Sequence, residues 1–164
     1  PFSVEQVSEA LNRIYGNRFD KDEYKICATA SAGTVGSAQE MLENGAYKGL
    51  LLEAFTLCLG VERRLPAIVK KVGETKSKKE LLSLISLIFR DGLVAKRRGI
   101  SSPYIFLQSE RENIQKVATR YSLTALLKAQ EYIAQAEEEL YFNAVFNQCL
   151  ETLMAKIYKE NGKR

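Results

Sequence analysis

Histidine is absent from this chain, so the commonest general base and the commonest neutral metal ligand are both missing from it. Serine-based triads are thereby excluded within these residues. Cysteine is scarce. Cys27, Cys58 and Cys149 lie far apart with no Cys-x-x-Cys pair, which excludes a disulfide framework and a zinc knuckle and points to a reducing, cytoplasmic compartment. Each thiol sits inside an apolar stretch, without a neighbouring base, and reads as a buried structural group rather than a nucleophile. No apolar run reaches the ~20 residues a bilayer requires. No stretch alternates apolar and polar residues long enough to form a strand. No glycine-rich loop of phosphate-cradling form occurs. Gly33-Thr34-Val35-Gly36 looks like part of one but has no preceding strand and no following lysine. The spacings therefore predict no cofactor and no metal.

What remains is helix. The 164 residues are enough for one domain, or one domain with a small companion, with a substantial core. The 24 Lys and Arg against 20 Asp and Glu leave a mild +4, which tolerates a nucleic-acid neighbour without demanding one. The sequence opens at Pro1 rather than a methionine, and the expectation is a fragment of a longer protein.

The chain is arranged around residues 77–99, SKKELLSLISLIFRDGLVAKRRG. Ser77 and Glu80 have the spacing of a capping box, and Gly99 supplies a stop. Leu81, Leu82, Leu84, Ile85, Leu87, Ile88, Phe89, Leu93 and Val94 cover most of the helix circumference rather than one stripe. That is the pattern of a helix surrounded by others. Arg90 and Asp91 interrupt it. Adjacent helical side chains diverge by about 100°, so each is expected to find its partner elsewhere. The pair either orients this helix within its own bundle or serves a subunit contact. Lys96, Arg97 and Arg98 suit the negative end of the helix dipole, and could also meet phosphate.

Before this hub, three short helices are predicted in the first 45 residues: Ser3–Tyr15 with a Ser3/Gln6 capping box, Asp20–Ser31 with Asp20/Glu23, and Val35–Leu42 with a stop near Gly45. Two longer ones follow, Tyr47–Leu59 and Arg63–Val72, the latter with Pro66 in its first turn. GETKSKK reads as a linker. After the hub, ISSPYIFLQ is a loop with an apolar tip at Tyr104, Ile105 and Phe106. Ser109 with Glu112 should cap a helix through Arg120, and Ser122 another to about Leu140. In that helix Leu123, Leu126, Leu127, Ala129, Ile133 and Ala136 face inward, and Glu137, Glu138 and Glu139 form a solvated outer face. The last helix is expected over Asn143–Lys159, with Val145, Cys149, Leu150, Leu153, Met154 and Ile157 on one side and a fraying tail, ENGKR. The fold class is all-α.

Residues 31–47, SAGTVGSAQEMLENGAY, resemble the last lid helix of an AAA+ clamp-loader subunit. IFRDGLVAKRRG and NAVFNQCLETLMAKI, residues 88–99 and 143–157, are similar to the collar of the same family. The resemblance implies a three-helix lid over 1–45, a helical collar and oligomerisation domain over 46–164, and an ATPase-like base domain preceding both. Nucleotide-hydrolysing relatives carry an arginine at the start of the last lid helix, and Gly36 stands in its place here. The resemblance thus implies a subunit that binds no nucleotide productively and is itself no enzyme, within a DNA polymerase holoenzyme. It implies delta and tau/gamma subunits as partners in a pentameric ring, an indirect connection to the sliding clamp and primed DNA, and no membrane. A collar must bury helix surface between subunits. Tyr104, Ile105 and Phe106, and the last-helix residues Leu150, Leu153 and Ile157, are the candidate interface, although the latter three could equally complete the chain's own core. Two other classes stand beside this one: an ATPase subunit of tau/gamma type, and a helical regulatory domain with a ligand pocket lined by the hub.

Overall fold

The computed structural model describes residues 1–142 and 144–163. Among these the chain forms nine α-helices and two 3₁₀ turns, with no strand. Helices α1 (Val4–Tyr15), α2 (Lys21–Ala30) and α3 (Val35–Glu43) pack on one another. The Ser3/Gln6 capping box closes α1 in both directions. At α2 the Glu23 carboxylate accepts the Asp20 amide at 2.7 Å. Gly33 is required by its surroundings. Its φ of +86° is left-handed, and a Cβ there would lie 2.5 Å from the Phe2 carbonyl. The Phe2 amide in turn donates to the Gly33 carbonyl at 3.0 Å, tying the N-terminus over this turn.

Helix α4 (Ala46–Cys58) is followed by a 3₁₀ turn at Glu62–Arg64 and by α5 (Leu65–Val72), where Pro66 occupies the first turn and removes no internal bond. The end of α4 is capped from afar. Tyr121 donates its hydroxyl to the Cys58 carbonyl at 2.6 Å, and Tyr158 donates to the Leu57 carbonyl at 3.1 Å. These two phenols satisfy acceptors that a helix C-terminus leaves orphaned.

The hub is α6 (Lys78–Arg98). Leu81, Leu82, Leu84, Ile85, Leu87, Ile88 and Phe89 are all buried, because α2, α4, α7 (Arg111–Arg120) and α8 (Leu123–Tyr141) surround it. Gly92 lets α7 approach, since a Cβ there would meet Val117 Cγ1 at 2.8 Å. Ser86 and Gln130 exchange hydrogen bonds at 2.9 and 3.0 Å, joining α6 to α8. Helix α9 (Phe146–Gly162) packs along α8 and α5. The buried side chains form one cluster that runs from Val7 to Tyr158, so α1–α3 share a core with the remaining helices through α2 and α6.

Several expectations are corrected. Ser77 makes no side-chain cap and α6 starts at Lys78, which shortens the linker; the Ser77 amide is used by Thr75 Oγ1 at 3.2 Å. Ser109 caps nothing either: it lies in the 3₁₀ turn Gln108–Glu110, with its amide donated to Asp22 Oδ2 at 2.6 Å. Leu123 and Leu127 face solvent, as does Ile14, because the contacting arc of each helix is narrower than its apolar stripe; Val145 is exposed because it precedes α9, which begins at Phe146. Over residues 160–163 the tail is anchored, not frayed, and Arg164 lies outside the described residues. Helix α9 continues past Lys159 to Gly162, Glu160 is buried, and Asn161 accepts the Ser122 amide at 2.7 Å while donating to the Arg120 carbonyl at 3.0 Å. The expected helix start at Asn143 lies outside the described residues.

Candidate interaction surfaces

Asp91 is completely buried, and the structure corrects the expectation that it and Arg90 would part. The long Arg90 side chain curls back so that Nη1 lies 2.9 Å from Asp91 Oδ1. The same carboxylate accepts the Phe106 amide at 2.9 Å and the Leu107 amide at 2.8 Å. Burial pushes the Asp91 carboxyl above its ordinary range, while the Leu107 and Phe106 amides and Arg90 pull the other way. Arg90 also donates to the Tyr104 carbonyl at 3.4 Å. The pair therefore pins the loop of residues 99–107 to the hub, within the chain's own fold.

That loop does not present a uniform apolar tip. Ile105 is buried in the core, Phe106 is half-buried, and Tyr104 alone is 60% exposed. Leu150, Leu153 and Ile157 are likewise buried, completing the chain's own core against α5 and α8. Four of the six candidate interface residues are thus taken up internally. Tyr104 and Phe106 are left at the surface.

The apolar surface that is available lies elsewhere. Leu52, on the outer face of α4, is 68% exposed. On one side it borders a groove of about 680 Å³ between α2, α4 and the start of α7, floored by Ile26, Leu51 and Phe55. On the other it borders a groove of about 490 Å³ between α4 and α5, lined by Gly49, Thr56, Ala67 and Ile68. The first groove has a rim of mixed charge, with Asp20, Asp22, Glu23 and Glu110 beside Lys21 and Lys48. There Tyr47 donates its hydroxyl to Glu23, which joins α4 to α2. Burial acts to raise the Glu23 carboxyl, but the Tyr47 hydroxyl and the Asp20 amide hold it below the usual carboxylate range. A second exposed cluster, Tyr141, Phe142 and Val145, sits at the turn between α8 and α9. Nothing in the helical periodicity singled out Leu52 or this corner, because both belong to apolar stripes whose other members are buried.

Chemistry-bearing groups are few. All three cysteines are free and buried. Desolvation pushes the Cys27 thiol up to about 12 and the Cys58 and Cys149 thiols upward as well, so none is poised as a thiolate. Gly36 stands exposed in the first turn of α3, beside Gln39, Glu40, Glu43 and Asn44, a surface that offers no cation to a phosphate. Glu137, Glu138 and Glu139 are on the outer face of α8. Among the described residues no group of three or more acidic or thiol ligands converges, and no helix is long and apolar enough to cross a membrane. Protein-family models, curated proteins and solved structures contain no match to this chain.

Proposed function

We propose that this chain is a non-catalytic assembly module of a replicative clamp loader, corresponding to the lid and collar of a delta-prime subunit of bacterial DNA polymerase III. It would work by docking. The sequence resemblance around residues 31–47, 88–99 and 143–157 supplies the family. The observation that carries the docking role is the outer face of α4, where an exposed leucine lies between two apolar grooves. Contiguous exposed apolar surface rimmed by polar residues is the kind that marks a contact for another protein, and the two grooves extend the Leu52 side chain into such a surface. In this reading residues 1–45 are the lid and 46–164 the collar. The partners are the delta and tau/gamma collars, and the chain turns over no substrate. Buried thiols with raised pKa values and the absence of histidine support that last point.

Light scattering on the chain mixed with tau/gamma and delta collar fragments tests the proposal. A complex that forms with the native chain and is lost on Leu52→Glu is expected. A mixture that stays monomeric under all conditions would overturn it.

A further inference from the structure

The two walls of the groove between α4 and α5 are unlike each other. The α4 wall carries the exposed Leu52 and the half-buried Glu53. The opposite wall, α5 with the end of the turn before it, carries Ala67 and Ile68 together with two exposed cations, Arg64 and Lys71. Among the described residues, Glu53, Arg64 and Lys71 form no ion pair. Burial pushes the Glu53 carboxyl above its ordinary range, while the charge of Lys71 pulls the other way. Lys71 is thus the cation that stands across the groove from Glu53.

Each wall presents what the other lacks: a leucine and an acid on one, small apolar groups and bases on the other. One groove cannot close on itself, because a space of about 490 Å³ stands between its walls. A second copy removes that obstacle.

We infer that two copies of this chain pair face to face through this groove, each Leu52 seated in the other's groove and each Glu53 meeting the other copy's Lys71. The symmetry follows from the charges. A two-fold axis running along the groove, parallel to α4, lays the α4 wall of each copy over the α5 wall of the other and leaves heights along the helices unchanged. Leu52 then packs on Ala67 and Ile68 of the second copy, and every contact is made twice. An axis across α4 would instead set acid on acid and base on base, which like-charge repulsion disfavours. An isologous pair closes at two copies and leaves no free end for a ring, so this contact is distinct from those of a ring assembly. The proposal rests on the reading of the α4 outer face as a docking surface. Because both uses cover Leu52, self-pairing and docking to other subunits exclude each other.

Light scattering on the native chain alone, between about 1 µM and about 1 mM, provides the test, since contacts below the standard interface size associate in that range. A dimer that dissociates on dilution is expected. Leu52→Glu should stay monomeric throughout. Glu53→Lys and Lys71→Glu should each weaken the dimer by roughly 10-fold or more, because the symmetry applies one reversal at two places. Mixing these two variants should restore association as a mixed pair. In it the two reversed positions face each other and the two native ones do likewise, so both contacts are attractive. Far-UV circular dichroism and the unfolding midpoint confirm that each variant is folded. The inference fails if the native chain is monomeric at the highest concentration, or if either charge reversal dimerises as well as the native chain. It fails equally if the two variants do not associate on mixing, since another face then carries the dimer. A chain that is monomeric alone yet enters a complex with tau/gamma and delta collar fragments overturns the pairing and leaves the docking role standing. One that pairs with itself but never with those fragments does the reverse.

Discussion

Removing the Asp91 carboxylate tests how the loop of residues 99–107 is held. In Asp91→Ala the Leu107 amide, buried and 2.8 Å from the carboxylate in the native chain, has no replacement acceptor. An unsatisfied buried donor costs about 1–3 kcal/mol. The Phe106 amide, 2.9 Å from the same group, is partly reachable by water and should lose about 1 kcal/mol. Arg90 is half-exposed at its side chain and rehydrates, so its lost pairing adds little. Relief from burying the charge offsets part of the total. A net loss of about 2–4 kcal/mol is expected, and Asp91→Asn, which keeps one acceptor, should lose about half as much. Guanidinium titration at neutral pH measures the stability. Amide hydrogen exchange at Phe106 and Leu107 localises it, since both should lose protection before the amides of α6. There is also a pH signature. The folded-state pKa of Asp91 is raised, so its linked contribution is complete below the ordinary aspartate value and declines as pH rises through the folded value. Asp91→Asn should remove that decline. The reasoning is refuted if Asp91→Ala stays within about 0.5 kcal/mol of the native chain, or if exchange at residues 106 and 107 is unchanged.

Three further perturbations probe the packing. Gly92→Ala forces a methyl group to within 2.8 Å of Val117 Cγ1, and denaturant titration should show a loss of about 1–3 kcal/mol as α7 is pushed from α6. Tyr47→Phe removes the donor that helps hold the Glu23 carboxyl low. Because that pKa is lowered on folding, the native stabilisation is present above the ordinary glutamate value and lost as pH falls through the folded one. The variant should therefore cost about 1 kcal/mol near pH 7 and progressively less in acid; a cost independent of pH would contradict the assignment. Asn161→Ala strands the Ser122 amide and the Arg120 carbonyl. A thermal scan should show destabilisation by about 1–3 kcal/mol, where a frayed tail would show none.

Helix existence and most helix ends were legible because they depend on neighbours within four residues. The Ser3/Gln6 box, the Ser122 cap, the stop at Gly99 and the all-round apolar character of α6 are of this kind. The Ser77 and Ser109 caps failed for the complementary reason. In each, a competing acceptor took the amide: Thr75 in one case, and in the other Asp22, which is 87 residues away in sequence. The candidate interface suffered in the same way, since an apolar side chain at Ile105, Leu150, Leu153 or Ile157 carries the same local pattern whether it meets its own core or a partner.

The amino-acid order alone determined that this is an all-helical protein and that the segment around residues 77–99 lies at its centre. Only the assembled fold decided which apolar residues stay outside and which side chain satisfies which buried amide. The difference is one of reach. Capping and amphipathicity are set by residues a few positions apart, whereas the contacts that choose between surface and core, such as Tyr158 to Leu57 across 101 positions, exist only once the helices have packed.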